Sequence, residues 1–568
     1  MATMALNSWG ETLSKRLCGM IATPVLDASG PSPLFVLYDT HPRSTPLRAR
    51  LIAAACAAAL LLPAALPPAW AQNRLPALGD PASEDFSLGT ERKLGDEIMR
   101  EIRADPDYLD DPVLLEYLQS LWQPLVAQAR VRGNISADID QRMAWEPFLV
   151  RDRSVNAFAL PGGYVGVHLG LMAMTATRDE LASVLAHEMS HVTQRHIARS
   201  IGNSKRQSLL SLAGLIVGVL AASRAGNSSI DAANAAIVGS QALAVQGQLN
   251  FSRDMEREAD RVGFQVMTGA GFAPGGMAAM FEKLDQSSRL NDFGGFPYLR
   301  SHPLTTERIG EARARLGTAA PVAPMSVFEH SAAQARARVL MDARTDALRH
   351  WQALDAATGG SVADKLANAY ESGLASTLLR DWARADAAIG TALGIVRTSP
   401  RSDARAERAV ALLNVQSLLA RGDVAKAQAA LAPFADDGSR PVLLLATQAT
   451  LAESNAAGAA RPDDTALKLR ASELQTWVAL NPRDSLSWTA LSQVSERLGQ
   501  PLRAIRADAE ARVALGDLPG AADRLRAGQR RARSGGAIDF IDASVIDARL
   551  RDVELQRKQL KADEKGPR

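Results

Sequence analysis

The stretch DELASVLAHEMSHVTQRHIARS, Asp179 to Ser200, gathers three of the eight histidines of this 568-residue chain. Apolar residues recur in it at helical spacing, at Leu181, Val184, Leu185 and Val192. This period predicts a helix. Because His187 and His191 are four residues apart, their rings project from the same face, one turn apart. Two imidazoles placed in this way can bind one tetrahedral metal ion.

Glu188 falls within the apolar stripe of the same predicted helix. An unpaired buried carboxylate is costly, but beside a water molecule at a metal ion it becomes a general base. HEMSH therefore fits the H-E-x-x-H pattern of zinc proteases, and the alternative is an accidental motif on a structural helix. His196 lies five residues after His191, a rotation of about 500° on a helix, so we expect it to be a solvated residue at the helix end and not a ligand.

A third ligand is sought in NFSRDMEREADRVGFQVM, Asn250 to Met267, which reads as a helix capped by Ser252. Glu256 and Glu258 flank its apolar stripe on opposite sides. Glu258 shares its side with polar residues and is expected on a solvated face, whereas Glu256 shares its side with Gly263, where another helix can approach closely. Periodicity thus favours Glu256 as the ligand, with Asp260 one turn on available to hold the second nitrogen of a histidine. The alternative is an acidic surface helix.

Four separate motifs of this chain resemble motifs of the membrane-associated zincins typified by the CAAX prenyl protease and the heat-shock protease HtpX. Together they cover roughly residues 80 to 315. In HEMSH followed by SRDMEREAD, the resemblance implies that Glu256 is the third zinc ligand and Asp260 its partner. In VNAFALPGG it implies that Asn156, with Ala157 and Phe158, binds the backbone of the substrate.

The fourth motif, YLRSHPLTTERI, aligns His302 with the late His-Pro element of that family. Three roles are open to this residue: a plain turn histidine, a stabiliser of the oxyanion of the tetrahedral intermediate, or a fourth zinc ligand that excludes water in a resting state. We predict the last role, because an exported protease needs restraint.

Export is suggested by the segment from Arg43 to Ala71, which combines a basic start, a short apolar run and a small-x-small cleavage site. We expect residues 1–71 to be an N-terminal extension and signal peptide, cut near Ala71, and the mature chain to reside in the periplasm; an uncleaved membrane anchor is the alternative. The only cysteines, Cys18 and Cys56, precede this cut, so disulfides and cysteine ligands are excluded from the mature chain. The net charge of +2 gives no reason to expect nucleic-acid binding.

Two further domains are predicted after the signal, a metalloprotease domain at residues 72–325 and a helical repeat domain at residues 329–568, joined by the linker TAAPVAPM. The repeat domain shows one recurring joint, a turn followed five residues later by alanine, at Arg380/Ala385, Gly422/Ala427, Gly499/Ala504 and Gly516/Ala521. This pattern favours tetratricopeptide-like helix pairs over a generic alanine-rich bundle. A short apolar segment, Leu209–Ser223, is expected to be a core helix, a lid over the cleft or a contact with the membrane surface.

The sequence therefore predicts a mainly α protein, in which a zincin-type α+β metalloprotease domain with a small sheet precedes an α-solenoid. It predicts a zinc metalloendopeptidase with one Zn²⁺ held by His187, His191 and Glu256. By resemblance to the periplasmic subgroup that carries such repeats, its substrates are misfolded or stalled outer-membrane proteins and a partner is the machinery that assembles barrel proteins in that membrane. The alternative is a non-proteolytic tetratricopeptide chaperone or scaffold with a dormant metal site.

Overall fold

The structure of the protein, a computed structural model, describes residues 86–201, 252–290, 297–317, 328–356, 359–400, 403–456, 464–533 and 540–564. The predicted signal peptide, both cysteines and the apolar segment Leu209–Ser223 lie outside the described residues. The linker TAAPVAPM also lies outside them, so the predicted domain boundary stays a prediction.

Ten helices and four strands form the described part of the first region. The helices are α1 (Leu88–Ala104), α2 (Pro112–Val131), α3 (Ala137–Arg142), α4 (Leu169–Met174), α5 (Arg178–Thr193), α6 (His196–Ile201), α7 (Arg253–Gly269), α8 (Gly275–Leu290), α9 (Pro297–Ser301) and α10 (Thr306–Ala314). The strands are β1 (Tyr108–Leu109), β2 (Glu146–Val150), β3 (Ala157–Leu160) and β4 (Tyr164–His168).

The four strands form one mixed sheet in the order β1-β2-β4-β3. β2 and β4 pair in parallel, and β3 pairs antiparallel with β4 through the turn at Pro161 to Gly163. The predicted strand-turn-strand in VNAFALPGGYVGVHLGLM is therefore present. Among the described residues β3 therefore lies at the edge of the sheet, and no described strand pairs with the other side of its backbone.

Helix α5, which carries the histidines, is buried on nearly all sides. Fifteen of its sixteen residues are buried, so the apolar stripe predicted from periodicity describes only part of its contacts. Its core neighbours come from α2, α7 and α8, and include Trp122, Val266 and Met280. Enclosure on all sides keeps the polar groups of this helix away from bulk water, which strengthens their electrostatic interactions.

Helices alone form the described part of the second region. They are α11 (Phe328–Leu340), α12 (Thr345–Gln352), α13 (Val362–Leu379), α14 (Trp382–Thr398), α15 (Ala404–Ala420), α16 (Val424–Leu431), α17 (Arg440–Ala456), α18 (Thr465–Leu480), α19 (Ser485–Arg497), α20 (Pro501–Ala514), α21 (Leu518–Arg533) and α22 (Phe540–Glu564), with short 3₁₀ turns at Ala353–Ala356 and Ala432–Phe434. The predicted fold class, mainly α with a small sheet, is confirmed.

Each of the four predicted joints is a tight turn between two packed helices. The residues at the turns, Arg380, Gly422, Gly499 and Gly516, all have positive φ. The alanines five positions later, Ala385, Ala427, Ala504 and Ala521, are all at most 1% exposed. Small side chains at these positions let the paired helices approach closely, as the sequence pattern predicted.

Helix α11 connects the two regions by packing against both. Ala333 and Ala337 belong to the core around α5, whereas Ala332, Ala335 and Val339 pack with the repeat helices. Arg336, on the same helix, forms a buried two-point ion pair with Asp111 at 2.7 and 2.8 Å. Among the described residues no helix is both long and apolar enough to cross a membrane.

Candidate metal centre

His187 and His191 meet at one point inside the molecule. Helix α5 begins after Thr177, whose hydroxyl accepts a hydrogen bond from the amide of Glu180 at 3.2 Å. The two histidines, at most 1% exposed, bring their Nε2 atoms within 3.0 Å of each other. The i, i+4 spacing on a helix accounts for this geometry.

Glu256 on α7 completes a three-residue group with these histidines. Its carboxylate oxygens lie 3.5 Å from His187 Nε2 and 3.4 Å from His191 Nε2. Helix α7 is capped by Ser252, and it can approach α5 because a Cβ on Gly263 would come within 3.1 Å of the backbone of Ala186 and His187. The structure thus places Glu256 in the group, whereas Glu258 contacts His196 and Arg199 on α6.

His302 joins the group from the turn that follows α9. Its Nδ1 atom lies 3.3 Å from His187 Nε2 and 3.0 Å from Glu256 Oε1. Its Nε2 atom lies 3.5 Å from Glu188 Oε1. The side chain is 1% exposed, so this histidine occupies the space between the general-base candidate and the other three residues.

The spacing of these donor atoms fits a tetrahedral metal ion. With metal–nitrogen and metal–oxygen bonds near 2.0–2.1 Å, the ligand atoms of a zinc site are separated by about 3.3 Å. Five of the six pairs in this group have donor atoms 3.0 to 3.5 Å apart, and all four ligand atoms lie within 4.8 Å of one another. Three imidazoles and one carboxylate are also the ligand types that zinc binds. His187, His191, Glu256 and His302 can therefore hold one ion.

Glu188 faces the group from the same helix as the two histidines. It is fully buried, and burial raises the pKa of its carboxyl group. One carboxylate oxygen accepts a hydrogen bond from the amide of Ala159, on β3, at 3.0 Å. Glu188 is thereby fixed between the edge strand and the metal-ligand candidates, where a general base is needed.

The edge strand β3 borders this site with the residues predicted to bind substrate. Ala159 donates its amide to Glu188 and not to β4, so the backbone of Ala157 and Ala159 faces away from the sheet. The Oδ1 atom of Asn156 is buried and has no hydrogen-bond partner among the described residues. The ring of Phe158 packs edge-on against Phe148, so its side chain contributes to the sheet face.

Asp260 supports His187 from the next turn of α7. Its carboxylate lies 2.9 Å from His187 Nδ1, which fixes the ring with Nε2 turned toward the other ligands. Arg308 on α10 binds the same carboxylate at two points, 2.7 and 2.8 Å, and also lies 2.8 Å from Glu256. Sequence reasoning missed Arg308, although it lies only six residues after His302.

The charges of this buried group depend on one another. Burial alone would raise the pKa of Glu256, but His302 and His187 hold it well below its usual range. Burial lowers the pKa of His187, but hydrogen bonds to Asp260 and Glu256 raise it to about 10. The pKa of Asp260 is also lowered, so Glu256 and Asp260 are both ionised at neutral pH. Arg308 and the imidazoles balance their negative charges.

The prediction that His196 is solvated is wrong. Its side chain is fully buried, and its Nδ1 atom lies 2.9 Å from His191 Nδ1. The calculation of 500° assumed one continuous helix, but α5 ends at Thr193 and Arg195 takes a left-handed conformation, φ 52°. The chain turns there, which brings His196 behind His191. Glu258, 28% exposed, contacts this ring and is not fully solvated.

Residues 117–316 match peptidase family M48, and this range contains every residue of the candidate site. The match bears out the predicted resemblance to zincins of the prenyl protease and HtpX type.

Similar proteins share the sequence of this region. The chain is 38% identical over 272 residues to the putative beta-barrel assembly-enhancing protease of Vibrio cholerae, a match that covers 47% of this chain and 53% of that protein. It is 34% identical over 273 residues to the beta-barrel assembly-enhancing protease of Escherichia coli, with the same coverage. The mitochondrial metalloendopeptidase OMA1 of Schizosaccharomyces pombe is 28% identical over 226 residues, 40% of this chain and 60% of that protein. The matches to the first two span about half the length of those relatives.

Proposed function

We propose that this protein is a zinc-dependent endopeptidase of the periplasm. The observation that carries the proposal is the meeting of His187, His191 and Glu256, with Glu188 buried beside them and an edge strand next to Glu188. Apolar residues of similar volume would stabilise the fold as well as this buried charged group or better, so packing alone does not explain it. Zinc is proposed as the metal because imidazole nitrogens together with one carboxylate are a common ligand set of catalytic zinc sites.

Glu188 is the proposed general base. When bound, Zn²⁺ would polarise the peptide carbonyl and lower the pKa of a water molecule toward 7. Glu188 takes a proton from the attacking water and returns it to the amine that leaves. The raised pKa of the buried carboxyl suits it to both steps, because a carboxyl with an ordinary pKa would release the proton to bulk water and not retain it for the leaving group.

An extended peptide is the proposed substrate form. The outward-facing backbone groups of Ala157 and the carbonyl group of Ala159, on β3, offer hydrogen bonds to an added strand, while the Ala159 amide already donates to Glu188. Asn156, whose buried amide oxygen has no hydrogen-bond partner among the described residues, is proposed to accept a hydrogen bond from an amide of the substrate backbone. Recognition through the backbone would let the enzyme accept unfolded segments of many sequences.

His302 is proposed to restrain the enzyme in a resting state. Its Nδ1 atom takes the fourth position of the ligand group, and its Nε2 atom faces Glu188, where the attacking water must lie. Substitution of His302 by Ala or Phe should therefore raise casein cleavage severalfold. Activity equal to that of the parent or below it would contradict the restraint and favour a role in stabilising the oxyanion.

The biological setting is proposed from the relatives. Two of them are named as proteases that enhance beta-barrel assembly, so we infer that this protein degrades misassembled outer-membrane proteins and aids barrel assembly after export by the signal at residues 43–71. The repeat helices at residues 329–568, proposed to be tetratricopeptide-like, would bind partner proteins such as the assembly machinery, and peripheral contact with the membrane is part of the proposal.

The test is substitution of Glu188 by Gln, which removes the base and keeps the shape of the side chain. We expect casein cleavage to fall by roughly 10² to 10⁴-fold, with one zinc retained per chain by elemental analysis. Glu101→Gln, the same change on an exposed position of α1, serves as the matched control and should leave cleavage unchanged. Proteolysis by purified E188Q at the parental rate would sink the mechanism, and a parent protein without zinc or cleavage would favour the chaperone alternative.

A further inference from the structure

His196 lies directly behind one of the metal-ligand candidates. His191 turns Nε2 toward the ligand group, and its other ring nitrogen, Nδ1, lies 2.9 Å from Nδ1 of His196. On the far side of His196, Nε2 lies 3.2 Å from a carboxylate oxygen of Glu258. Arg199 holds the same oxygen at 3.0 Å.

The protons along this row have one consistent arrangement. A histidine that offers Nε2 to a metal carries its proton on Nδ1, so His191 donates to Nδ1 of His196. His196 must then carry its own proton on Nε2, where Glu258 accepts it.

His187, the other histidine on α5 proposed as a ligand, is held in a similar way by different residues. His187 is oriented by Asp260, which Arg308 holds in turn. For His191 the corresponding positions are taken by His196 and Glu258. Both imidazoles therefore have their second nitrogen fixed, as is general for histidines that bind metal.

The backbone before His196 is held in an uncommon conformation. Arg195 has φ 52°, a left-handed backbone conformation that is unfavourable for a non-glycine residue. The conformation is held because the guanidinium of Arg195 is buried, donates to the carbonyl of Phe86 at 2.6 Å and pairs with Glu91 at 3.3 Å. A turn locked by this many contacts sets the position of the His196 ring, as expected of a placed group.

We propose that His196 is a positioning residue that fixes the tautomer and rotation of His191, and that Glu258 does the same for His196. This inference rests on the proposed metal site and extends it to a row of residues that leads from the ligand to the surface at Arg199. Its loss would leave His191 able to turn or to place its proton on Nε2, where it cannot bind the ion.

The experiment measures the affinity of Zn²⁺ for the metal-free full chain by competition with a chelator. His196→Leu should weaken binding by roughly tenfold to 100-fold, the range found when partners of ligating histidines are removed. His196→Asn, whose side-chain oxygen can accept at the position of Nδ1, should restore most of the affinity. The melting temperature of each metal-free variant shows whether the fold is intact.

With the His196 variants, either of two results would overturn the proposal. One is an affinity of H196L within about twofold of the parent, and the other is an affinity of H196N as weak as that of H196L, which would indicate packing alone. If H196L fails to fold, Glu258→Leu becomes the test variant, and we expect it to weaken Zn²⁺ binding on the order of threefold. Arg199→Met, which breaks only the outer ion pair, is its control and should match the parent; E258L equal to R199M would overturn the proposal. A parent that binds no Zn²⁺ refutes the proposed function itself.

Discussion

Two buried carboxylates, one in each region of the molecule, differ in the number of their partners and in the direction in which their pKa is shifted. Asp260, 1% exposed in the metal centre, pairs at two points with Arg308 and also with His187. Glu371, fully buried in the repeat region, has one contact at 3.1 Å with Arg338, and its second oxygen has no partner among the described residues. The pKa of Asp260 is lowered despite burial, whereas burial raises the pKa of Glu371 to about 7.

The difference shows where a full set of partners is required. At the candidate metal centre, the proposed role of Asp260 is to orient His187, and that role requires a charge that stays in place at neutral pH. In the second region, apolar and small side chains pack the helices together, and no such role is proposed for Glu371. Two substitutions can break or sharpen this comparison.

The largest effect is expected for Arg308→Met. This change leaves Asp260 and Glu256 buried without their cation, and breaking a buried pair in this way costs about 3–5 kcal/mol. Urea unfolding of chelator-treated protein at pH 7 measures the free energy of unfolding without a contribution from bound metal.

Arg384→Met is a control of matched geometry. Arg384 binds Asp355 at two points, both 2.7 Å, as Arg308 binds Asp260, but at the surface. Exposed ion pairs contribute about 1 kcal/mol or less. Equal losses for the two variants would mean that the buried cation is not what holds the metal-centre carboxylates.

A smaller effect, visible in its pH dependence, is expected for Glu371→Gln. Because the pKa is raised from 4.5 to about 7 in the folded protein, the folded state keeps a proton that the unfolded state has lost across that window. Stability therefore falls as pH rises through the window, by up to about 3 kcal/mol, and the penalty is complete above about pH 7.

Thermal unfolding at pH 5 and pH 8 tests this prediction. The Gln variant should lose much less stability than the parent between these values, because it has no proton to release. Glu407→Gln removes a half-exposed carboxylate on α15 that pairs with Arg397, and it should leave the pH dependence of the parent unchanged. A parallel shift of E371Q and parent at both pH values would contradict the raised pKa.

Local pattern was enough to predict much of the site. The spacing of His187 and His191 determines their meeting because it lies within one unbroken helix. Glu256 could be preferred to Glu258 because Gly263, on its side of α7, marks a close helix contact. The alanine joints of the repeats were predictable for the same reason, since helix pairs require small residues at fixed positions.

The other features of the site could not be predicted from the spacing of residues within one helix or strand. His196 was misplaced because a helical rotation was carried across Arg195, whose left-handed backbone ends the helix. Arg308 was missed because its partner Asp260 lies 48 positions away in sequence. The near-complete burial of α5 could not be predicted either, because many of its buried residues are polar. These residues contact α7, β3 and the turn at His302.

The left-handed turn at Arg195 limits how far the N-terminal arm could be trimmed. Its guanidinium takes the carbonyl of Phe86 and the carboxylate of Glu91 as partners. A leader removed near Ala71 would leave both in place, whereas a cut beyond Glu91 would take two anchors from the turn that carries His196. The segment Phe86–Glu91 and the position of His196, some hundred residues later in sequence, are thus linked through the side chain of Arg195.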